Sequence, residues 1–434
     1  MVEVKPFKGI TYNTKRFTNF ENLTSPPYDI ISKNMQDQLY DKSKYNFVRL
    51  IFGKKKNEDD ILHNCYTRAK EFLEKWISQS ILIESKNKSI YPYKIYYKIN
   101  NQKKIMNGFF ILLKLDKKYK KIRAHEKTLS KPKEDRLNLM RNCKANLEPI
   151  QLLYVDENDE INKIINNKIN DPIFEIKAYD SFKHKLWKLE DNKIIENIER
   201  NLNDKILFIA DGHHRYQTAI NYANEMSEKY HNYNDDSQFN YIMVILVNMF
   251  DKGLTILPTH RLIKKDDVDI KKIMFKLEKY FNIIEKNIPD DKNIKIEEKI
   301  INDLAEENKK QFVLYFKNKY YILILKNLNL MDKFKDTHSK MWRSLDVSIL
   351  QKLILEEILG INQENLENHV FYTREIEEAI NFVNEGKYNF SCIMNSTKIN
   401  ELKTIAESGE HMPQKSTFFI PKMLSGLVMY KIKI

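Results

Sequence analysis

Ile206-Leu-Phe-Ile-Ala-Asp-Gly-His-His-Arg-Tyr-Gln-Thr-Ala219 is the segment in which a strand pattern changes to a helix pattern. The apolar run Ile206–Ala210 has the length and composition of a buried strand. Apolar residues at helical spacing resume at Ala219, so Gly212 lies in the turn between strand and helix. Backbone N–H groups at a helix start bind anions, because the helix dipole adds to their partial charges. The segment therefore predicts an anion site at Gly212, where a side chain would collide with the approaching group.

The first turn of this helix carries His213, His214 and Arg215, directly after Asp211 and Gly212. Cationic side chains are electrostatically unfavourable at a helix N-terminus, where Asp, Ser or Thr is expected. A local rule that is broken at a turn indicates function more often than accident. An ordinary strand–helix connection with exposed, polar histidines is the alternative.

The composition is that of a globular protein. The chain has 434 residues, of which 42% are hydrophobic, and it contains no apolar run long enough to cross a membrane. Cys65, Cys143 and Cys392 lie far apart and form no metal-ligand spacing. The net charge of +13 is spread along the chain among Asp and Glu, which does not favour a nucleic-acid surface. Because the N-terminus lacks an apolar signal segment, we expect a cytoplasmic protein without a membrane partner.

Prolines stiffen the segment that carries Tyr28 and Asp29. Pro26 and Pro27 directly precede them, and each ring fixes the backbone and removes a hydrogen-bond donor. A stiff segment either holds the next side chains in a pocket or forms a plain turn before a helix. The residues leave both interpretations open.

His125 and Glu126 follow a predicted strand end and have the chemistry of a general base or of metal ligands. A solvent-facing pair at the end of a hairpin is the alternative. The loop after them opens a helix that contains Arg136.

A polar group near residue 415 has prolines on both sides, which favours a fixed loop over a disordered tail. The group consists of Lys415, Ser416 and Thr417. These residue types bind phosphates or carboxylates, so we expect the loop to face a site. A last hairpin that completes a sheet is the alternative.

Periodicity predicts an α+β chain. Buried strands are expected at Asn46–Phe52 and Asn240–Asn248, and Ile90–Ile99 with Ile105–Leu115 predicts a hairpin. Helical spacing runs over Glu58–Ser80.

Beyond Arg261 the chain is more charged and poorer in aromatic residues. We therefore expect a first domain of residues 1–261 and a C-terminal α/β domain of residues 262–434. The segment of residues 411–428 is expected to return to the site of the first domain.

Four motif blocks, spread over the chain in this order, resemble those of the domain of unknown function 1015 family. They are Ser25-Pro-Pro-Tyr-Asp29, His125-Glu126 with Lys131-Pro-Lys-Glu-Asp-Arg136, Ala210-Asp-Gly-His-His-Arg-Tyr216, and Met412-Pro-Gln-Lys-Ser-Thr417. The resemblance implies that the blocks form one site, without naming a reaction.

The segment from Asp211 to Ala219 also resembles the Gly-x-x-Arg helix start of the ParB/sulfiredoxin superfamily, which includes an ADP-dependent free serine kinase. In these proteins the turn and its Arg bind nucleotide phosphates. The resemblance implies a mixed-sheet, ParB/sulfiredoxin-like core with an inserted hairpin. By position, phosphate would be held by Asp211, Gly212, His213, His214 and Arg215.

These implications favour a nucleotide-dependent phosphotransferase that acts on a small hydroxylated metabolite, with serine or phosphoserine suggested by the kinase resemblance. ADP or ATP with Mg²⁺ would be the cofactor. Glu126 or Asp29 would accept the proton or hold Mg²⁺, and His125 and His213 are further catalytic candidates. Substrate binding is assigned to Tyr28, Arg136, Lys415, Ser416 and Thr417.

Two alternatives belong to other classes: a ParB-like nucleotide-binding module that contacts DNA, and a metal-dependent hydrolase. The first predicts a helix-turn-helix with clustered basic residues, and no clean pattern of that kind is present. Adjacent histidines such as His213 and His214 point in different directions on a helix, whereas paired metal ligands prefer i, i+4 spacing.

Overall fold

The computed structural model describes the chain except residues 100, 125–130, 231–233, 267, 289–295, 306–308, 318 and 434, and the side chains of residues 131–133. The chain forms two compact units, one of Met1–Thr255 with Pro421–Ile434 and one of Ile256–Ile420. The second unit is thus an insertion into the sequence of the first. The predicted mixed α+β composition is confirmed.

The strands follow in chain order. They are β1 (Val4–Lys5), β2 (Ile10–Tyr12), β3 (Leu82–Glu84), β4 (Tyr91–Ile99), β5 (Gln102–Lys114), β6 (Ile122–Arg123), β7 (Ala145–Asn146), β8 (Ile150–Tyr154), β9 (Phe174–Lys177), β10 (Lys183–Leu186), β11 (Leu207–Asp211), β12 (Tyr241–Asn248), β13 (Thr255–Leu257), β14 (His260–Ile263), β15 (Phe281–Asn287), β16 (Gln311–Phe316), β17 (Lys319–Leu325), β18 (Val370–Thr373), β19 (Phe390–Met394), β20 (Phe418–Ile420) and β21 (Tyr430–Lys431).

The α-helices are interspersed with short 3₁₀ turns and one π-helical segment, Leu350–Ile358, among the described residues. They are α1 (Lys33–Lys42), α2 (Val48–Ile51), α3 (Cys65–Ser78), α4 (Lys131–Cys143), α5 (Glu160–Asn166), α6 (Asn192–Leu202), α7 (His213–Lys229), α8 (Ile270–Leu277), α9 (Ile296–Leu304), α10 (Lys340–Arg343), α11 (Asp346–Ile349), α12 (Leu366–His369), α13 (Ile376–Asn384) and α14 (Ile399–Ser408).

A large mixed sheet organises the first unit. Its strand order is β6–β11–β8–β12–β5–β4–β10–β9, and β1 also pairs with β5. β6 runs parallel to β11 and β8 runs parallel to β12, whereas β5 runs antiparallel to β4 and β12. Every residue of β12 is buried, as expected for an interior strand with a near-continuous apolar run.

The strand β11 leads directly to the turn at Gly212. Its antiparallel register with β8 shifts between Ile209 and Asp211, so that Asp211 pairs with Gln151. Such a bulge changes the direction of the side chains that follow it. The helix α7 packs its apolar face, including Tyr216 and Ala219, into the core cluster that also contains Ile209. The turn is therefore fixed on both sides.

The predicted strand at Asn46–Phe52 is wrong, because this segment contains the short helix α2. The Asn46 side chain accepts a hydrogen bond from the Val48 N–H at 3.0 Å, and its amide group donates to the carbonyl of Thr24 at 3.0 Å. Asn side chains that bond the backbone two residues on favour a turn. A short apolar run does not by its pattern distinguish a buried strand from a buried helix.

The helix predicted over Glu58–Ser80 is shorter, because α3 begins at Cys65. Asn64 caps this helix and Thr67 completes a capping box, so the helix starts where its first N–H groups find partners. Ile61 and Leu62 precede the cap and are exposed.

The second unit has its own antiparallel sheet, with strand order β15–β17–β16–β19–β14–β18. Its core includes side chains of α9, β16, β17 and α13. Within the described part of the chain, no helix combines the length and apolarity that a membrane crossing requires.

Candidate functional site

Gly212 has a left-handed backbone conformation, with φ at +94°, and α7 begins at the next residue without a side-chain cap. A Cβ atom at this position would lie 3.1 Å from Nε of Arg215. The group that approaches Gly212 in the structure is thus the guanidinium of Arg215, which folds back over the turn. The positive φ favours glycine, and a Cβ atom would in addition force the Arg215 side chain to shift.

Asp211 holds two cations at the turn. Its Oδ2 atom accepts from Nη2 of Arg215 at 3.0 Å, and its Oδ1 atom lies 3.3 Å from Nζ of Lys422. Burial alone would raise the pKa of Asp211, but Lys422 and Arg215 outweigh it and lower the pKa to about 2. The side chain is therefore a carboxylate at neutral pH, and the three groups carry a net charge of one positive unit.

Arg215 is held from two directions. Its Nη1 atom donates to the carbonyl of Pro149, while Nη2 donates to Asp211. Burial would lower the pKa of Arg215, but Asp211, Glu148 and Asp29 raise it above the ordinary value. The guanidinium is thus a fixed positive charge that several carboxylates surround.

Glu148 is a buried carboxylate that sequence reasoning missed. Its Oε1 atom accepts from the Tyr28 N–H at 3.1 Å and from the Ser425 hydroxyl at 2.9 Å, and Oε2 lies 3.6 Å from Nη1 of Arg136. Burial raises the pKa of Glu148, although Arg215 and Arg136 oppose this. One carboxylate therefore joins three segments that are far apart in sequence. A charged residue next to an apolar strand run was the available signal.

Tyr28 and Arg136, both predicted to bind substrate, are in contact. The Arg136 guanidinium lies 4.0 Å from the centre of the Tyr28 ring. Nε of Arg136 donates to Asp135 at 2.9 Å, and Nη1 donates to the carbonyl of Ile51 at 2.8 Å. Burial raises the pKa of Tyr28 to about 12, so its hydroxyl stays protonated at neutral pH.

Arg136 lines two cavities of the first unit. The smaller, of about 40 Å³, is also lined by Glu148, Arg215 and Asn146. The larger, of about 650 Å³, is also lined by Tyr28. The predicted residues of the turn and of the Tyr28 segment thus belong to one charged region of the first unit.

The other predicted site residues in this part of the chain are exposed, half-buried or outside the described residues. His125 and Glu126 lie outside the described residues. Asp29 is exposed on a 3₁₀ turn, Tyr28–Ile30, and His213 and His214 are half-buried in the first turn of α7.

Lys415, Ser416 and Thr417 belong to the second unit. Lys415 is exposed and has a positive φ, and its carbonyl accepts from Nη2 of Arg261 at 3.4 Å. The Ser416 hydroxyl is buried and donates to the carbonyl of Pro413. The contacts of the loop within its own unit fix its backbone.

Lys422 and Ser425 come after this loop in sequence and belong to the first unit. Neither was a predicted site residue, because their contacts depend on where the chain returns. Among the residues that the structure describes, no three His, Cys, Asp or Glu side chains are grouped so as to hold a metal ion.

The family described as "Protein of unknown function (DUF1015)" matches residues 4–348, most of the chain. The chain belongs to this family. The predicted membership of DUF1015 is confirmed; three of the four motif blocks lie within the matched residues, and the block Met412–Thr417 lies beyond them. No curated protein matches this DUF1015 member in sequence.

Solved structures similar to the DUF1015 chain include a free serine kinase in complex with AMP, at 14% identity and a TM-score of 0.36, covering 75% of this chain and 91% of that one. A mutant free serine kinase in complex with ADP has 13% identity and a TM-score of 0.38, covering 75% and 92%. A conserved hypothetical protein from Pyrococcus furiosus has 14% identity and a TM-score of 0.34, covering 73% and 95%. At these TM-scores the likeness supports no argument about substrate or reaction.

Proposed function

We propose that the first unit has a ParB/sulfiredoxin-like core that binds ADP or ATP through its phosphates at the Gly212 turn. The bound nucleotide donates a phosphoryl group to a small hydroxylated metabolite. One observation carries the proposal: the Asp211 carboxylate holds Arg215 and Lys422 together at the start of α7. Two cations and one carboxylate leave a net positive charge where the helix dipole also attracts anions.

The rigidity of this arrangement suits phosphoryl transfer. The reaction needs positioning and charge neutralisation more than covalent help from the protein. Arg215 is already fixed by Asp211 and Pro149, so its charge needs little reorganisation when a phosphate arrives. These two contacts use two of the five N–H donors of a guanidinium, and the others suit phosphate oxygens.

The proposed reaction is an in-line phosphoryl transfer. The hydroxyl oxygen of the metabolite attacks the terminal phosphorus, and the bond from phosphorus to the bridging oxygen of the nucleotide breaks. The hydroxyl proton passes to Glu126 or Asp29, with His125 and His213 as further candidates. The negative charge of Asp29 raises the pKa of Arg215, which supports a place for Asp29 beside the phosphate.

We propose Mg²⁺ as the accompanying ion, because proteins hold it through one or two carboxylates together with phosphate oxygens. Asp29 and Glu126 would supply those carboxylates. Tyr28 and Arg136 would bind the metabolite. The binding of a carboxylate or phosphate by Lys415, Ser416 and Thr417 stays a prediction from the sequence. Serine and phosphoserine are the first metabolites to test.

Phosphorus NMR tests the reaction directly. The purified chain is incubated with ADP or ATP, Mg²⁺ and L-serine, or with AMP or ADP, Mg²⁺ and O-phosphoserine for the reverse direction. We expect the terminal phosphate signal of one partner to decrease while a signal of the other partner grows. If the nucleotide binds but no phosphate moves with either metabolite, the chain is not a serine phosphotransferase.

Two lysine substitutions test the phosphate site. Lys422→Ala should weaken nucleotide binding by about 10-fold to 150-fold, because a charge-assisted contact contributes roughly 1.5–3 kcal/mol. Lys433→Ala is the matched control, since Lys433 is an exposed lysine of the same segment that pairs with Glu84 at 3.0 Å. Calorimetric titration with ADP and ATP measures both variants. Equal affinity of the two variants would rule out the assigned role of Lys422.

A further inference from the structure

The larger cavity of the first unit, at about 650 Å³, lies within the range of about 300–1,000 Å³ that is typical of pockets for small organic molecules. The start of α1, the segment after α2, the start of α3 and the middle of α4 form its wall. A molecule as small as serine would leave most of this volume to solvent. The volume therefore favours a larger ligand.

The wall of this cavity carries uncompensated positive charge. Its two carboxylates are already engaged, Asp37 with Lys54 and Asp135 with Arg136. Lys33 and Lys55 also line the cavity, and neither forms an ion pair with a residue that the structure describes. A ligand with a negative charge would be attracted to this wall.

Apolar side chains form the rest of the wall. Leu50, Ile51, Phe52 and Leu139 line it; Phe52 is half-buried, and the other three are buried. An apolar surface next to cations suits an anion that has an apolar body. Arg136, which is only 7% exposed, lines both this cavity and the smaller cavity, whose wall includes Arg215.

We propose that this cavity binds a hydroxy acid that has one carboxylate and an apolar body larger than serine. The carboxylate lies among Lys33, Lys55 and Arg136, and the body contacts Phe52, the half-buried apolar residue of the four. The ligand's role as phosphoryl acceptor rests on the proposed function, whereas its binding requires no nucleotide.

Three probes measure separately what the apolar ring and the carboxylate contribute to binding. They are 3-phenyllactate, lactate, which lacks the ring, and 3-phenylpropane-1,2-diol, which lacks the carboxylate. Calorimetric titration without nucleotide should give 3-phenyllactate an affinity at least about tenfold higher than that of either analogue, since burial of a ring and pairing of a charge each contribute. An affinity of lactate or of the diol equal to that of 3-phenyllactate would overturn the proposal.

Neighbouring lysines supply a matched pair of variants. Lys55→Ala, in which a cavity lysine is removed, should weaken 3-phenyllactate binding by about threefold to fivefold, the range of an exposed ionic contact. Lys56→Ala should leave it unchanged, because Lys56 is exposed, does not line the cavity and pairs with Glu58. Equal affinities of the two variants would overturn the assigned position of the carboxylate.

Cys65 can report whether the cavity is occupied, because it lines the cavity and is 7% exposed, whereas Cys143 and Cys392 are fully buried. Reaction of Cys65 with methyl methanethiosulfonate, followed by mass spectrometry, should slow when 3-phenyllactate is present. An unchanged rate at saturating 3-phenyllactate would place the probe elsewhere and overturn the proposal.

The outcomes separate this proposal from the proposed function. Protection of Cys65 together with no detectable nucleotide binding supports the cavity ligand and refutes the phosphate site. Nucleotide binding that depends on Lys422, together with no binding of 3-phenyllactate, refutes the cavity ligand and leaves the phosphate site intact.

Discussion

Acidification from about pH 5 to about pH 3 should remove part of the stability that Asp211 gives to the first unit. Although burial opposes them, Lys422 and Arg215 hold the pKa of this carboxyl at about 2, below its ordinary value of 3.8. Because the folded pKa lies below the unfolded one, the carboxylate stabilises the fold at pH values above 3.8. This contribution is lost as the pH falls towards 2.

The size of the effect follows from the two pKa values. A shift from 3.8 to about 2 corresponds to roughly 2 kcal/mol of unfolding free energy near neutral pH. The side chain is 23% exposed, so solvent screening reduces the contribution to about 1–2 kcal/mol. The linkage between proton binding and unfolding predicts that nearly half of this stabilisation, about 0.5–1 kcal/mol, is lost between pH 5 and pH 3.

Urea unfolding of the intact chain and of an Asp211→Asn variant at several pH values measures this loss. Trp76 and Trp187 lie in the first unit and Trp342 in the second, so a Trp342→Phe background restricts the fluorescence signal to the first unit. Carboxylates remote from Asp211, Arg215 and Lys422 contribute equally in both chains and cancel in the difference. An Asp41→Asn variant, at an exposed position on α1, is the matched control. A destabilisation by Asp211→Asn that stays constant from pH 5 to pH 3 would refute the reasoning.

Two further substitutions test the site. Gly212→Ala should reduce stability by about 1 kcal/mol or more beyond Gly386→Ala. Both glycines have positive φ, but of the two only Gly212 lies against a guanidinium, that of Arg215, which an added Cβ atom would contact. Equal losses of melting temperature in the two variants would contradict this prediction. Glu148→Gln should destabilise the first unit by about 1–3 kcal/mol, because it removes a buried ionic partner of Arg136. Glu225→Gln breaks the more exposed pair with Arg141 and should cost at most about 1 kcal/mol. Calorimetric scans measure both variants, and similar shifts in melting temperature would refute the role of Glu148.

Local pattern was sufficient for elements with strong periodicity. The run Asn240–Asn248 became β12, and the two runs around residue 100 became β4 and β5, because length and composition agree with burial there. The same reasoning misplaced Asn46–Phe52, where the side chain of Asn46 selects a helical turn through a local bond to Val48 and a bond to the distant Thr24.

In the site, too, some residues could be identified from the sequence and others only from the fold. The Gly212 turn was visible in sequence because its residues are contiguous and break the usual charge preference of a helix start. Glu148, Lys422 and Ser425 were not visible, since their importance depends on contacts with residues more than one hundred positions away. Sequence reasoning identified the residues at the turn, while the groups that hold them in place required the fold.

The return of Pro421–Ile434 to the first unit has a consequence for biosynthesis. A ribosome synthesises all of Ile256–Ile420 before it adds Lys422 and Ser425, and domains generally fold as the chain emerges. During that interval Asp211 lacks one of its two cations, and Glu148 lacks a hydroxyl donor. The nascent first unit is therefore incomplete until the second has been translated, which delays the appearance of the charged turn until late in synthesis.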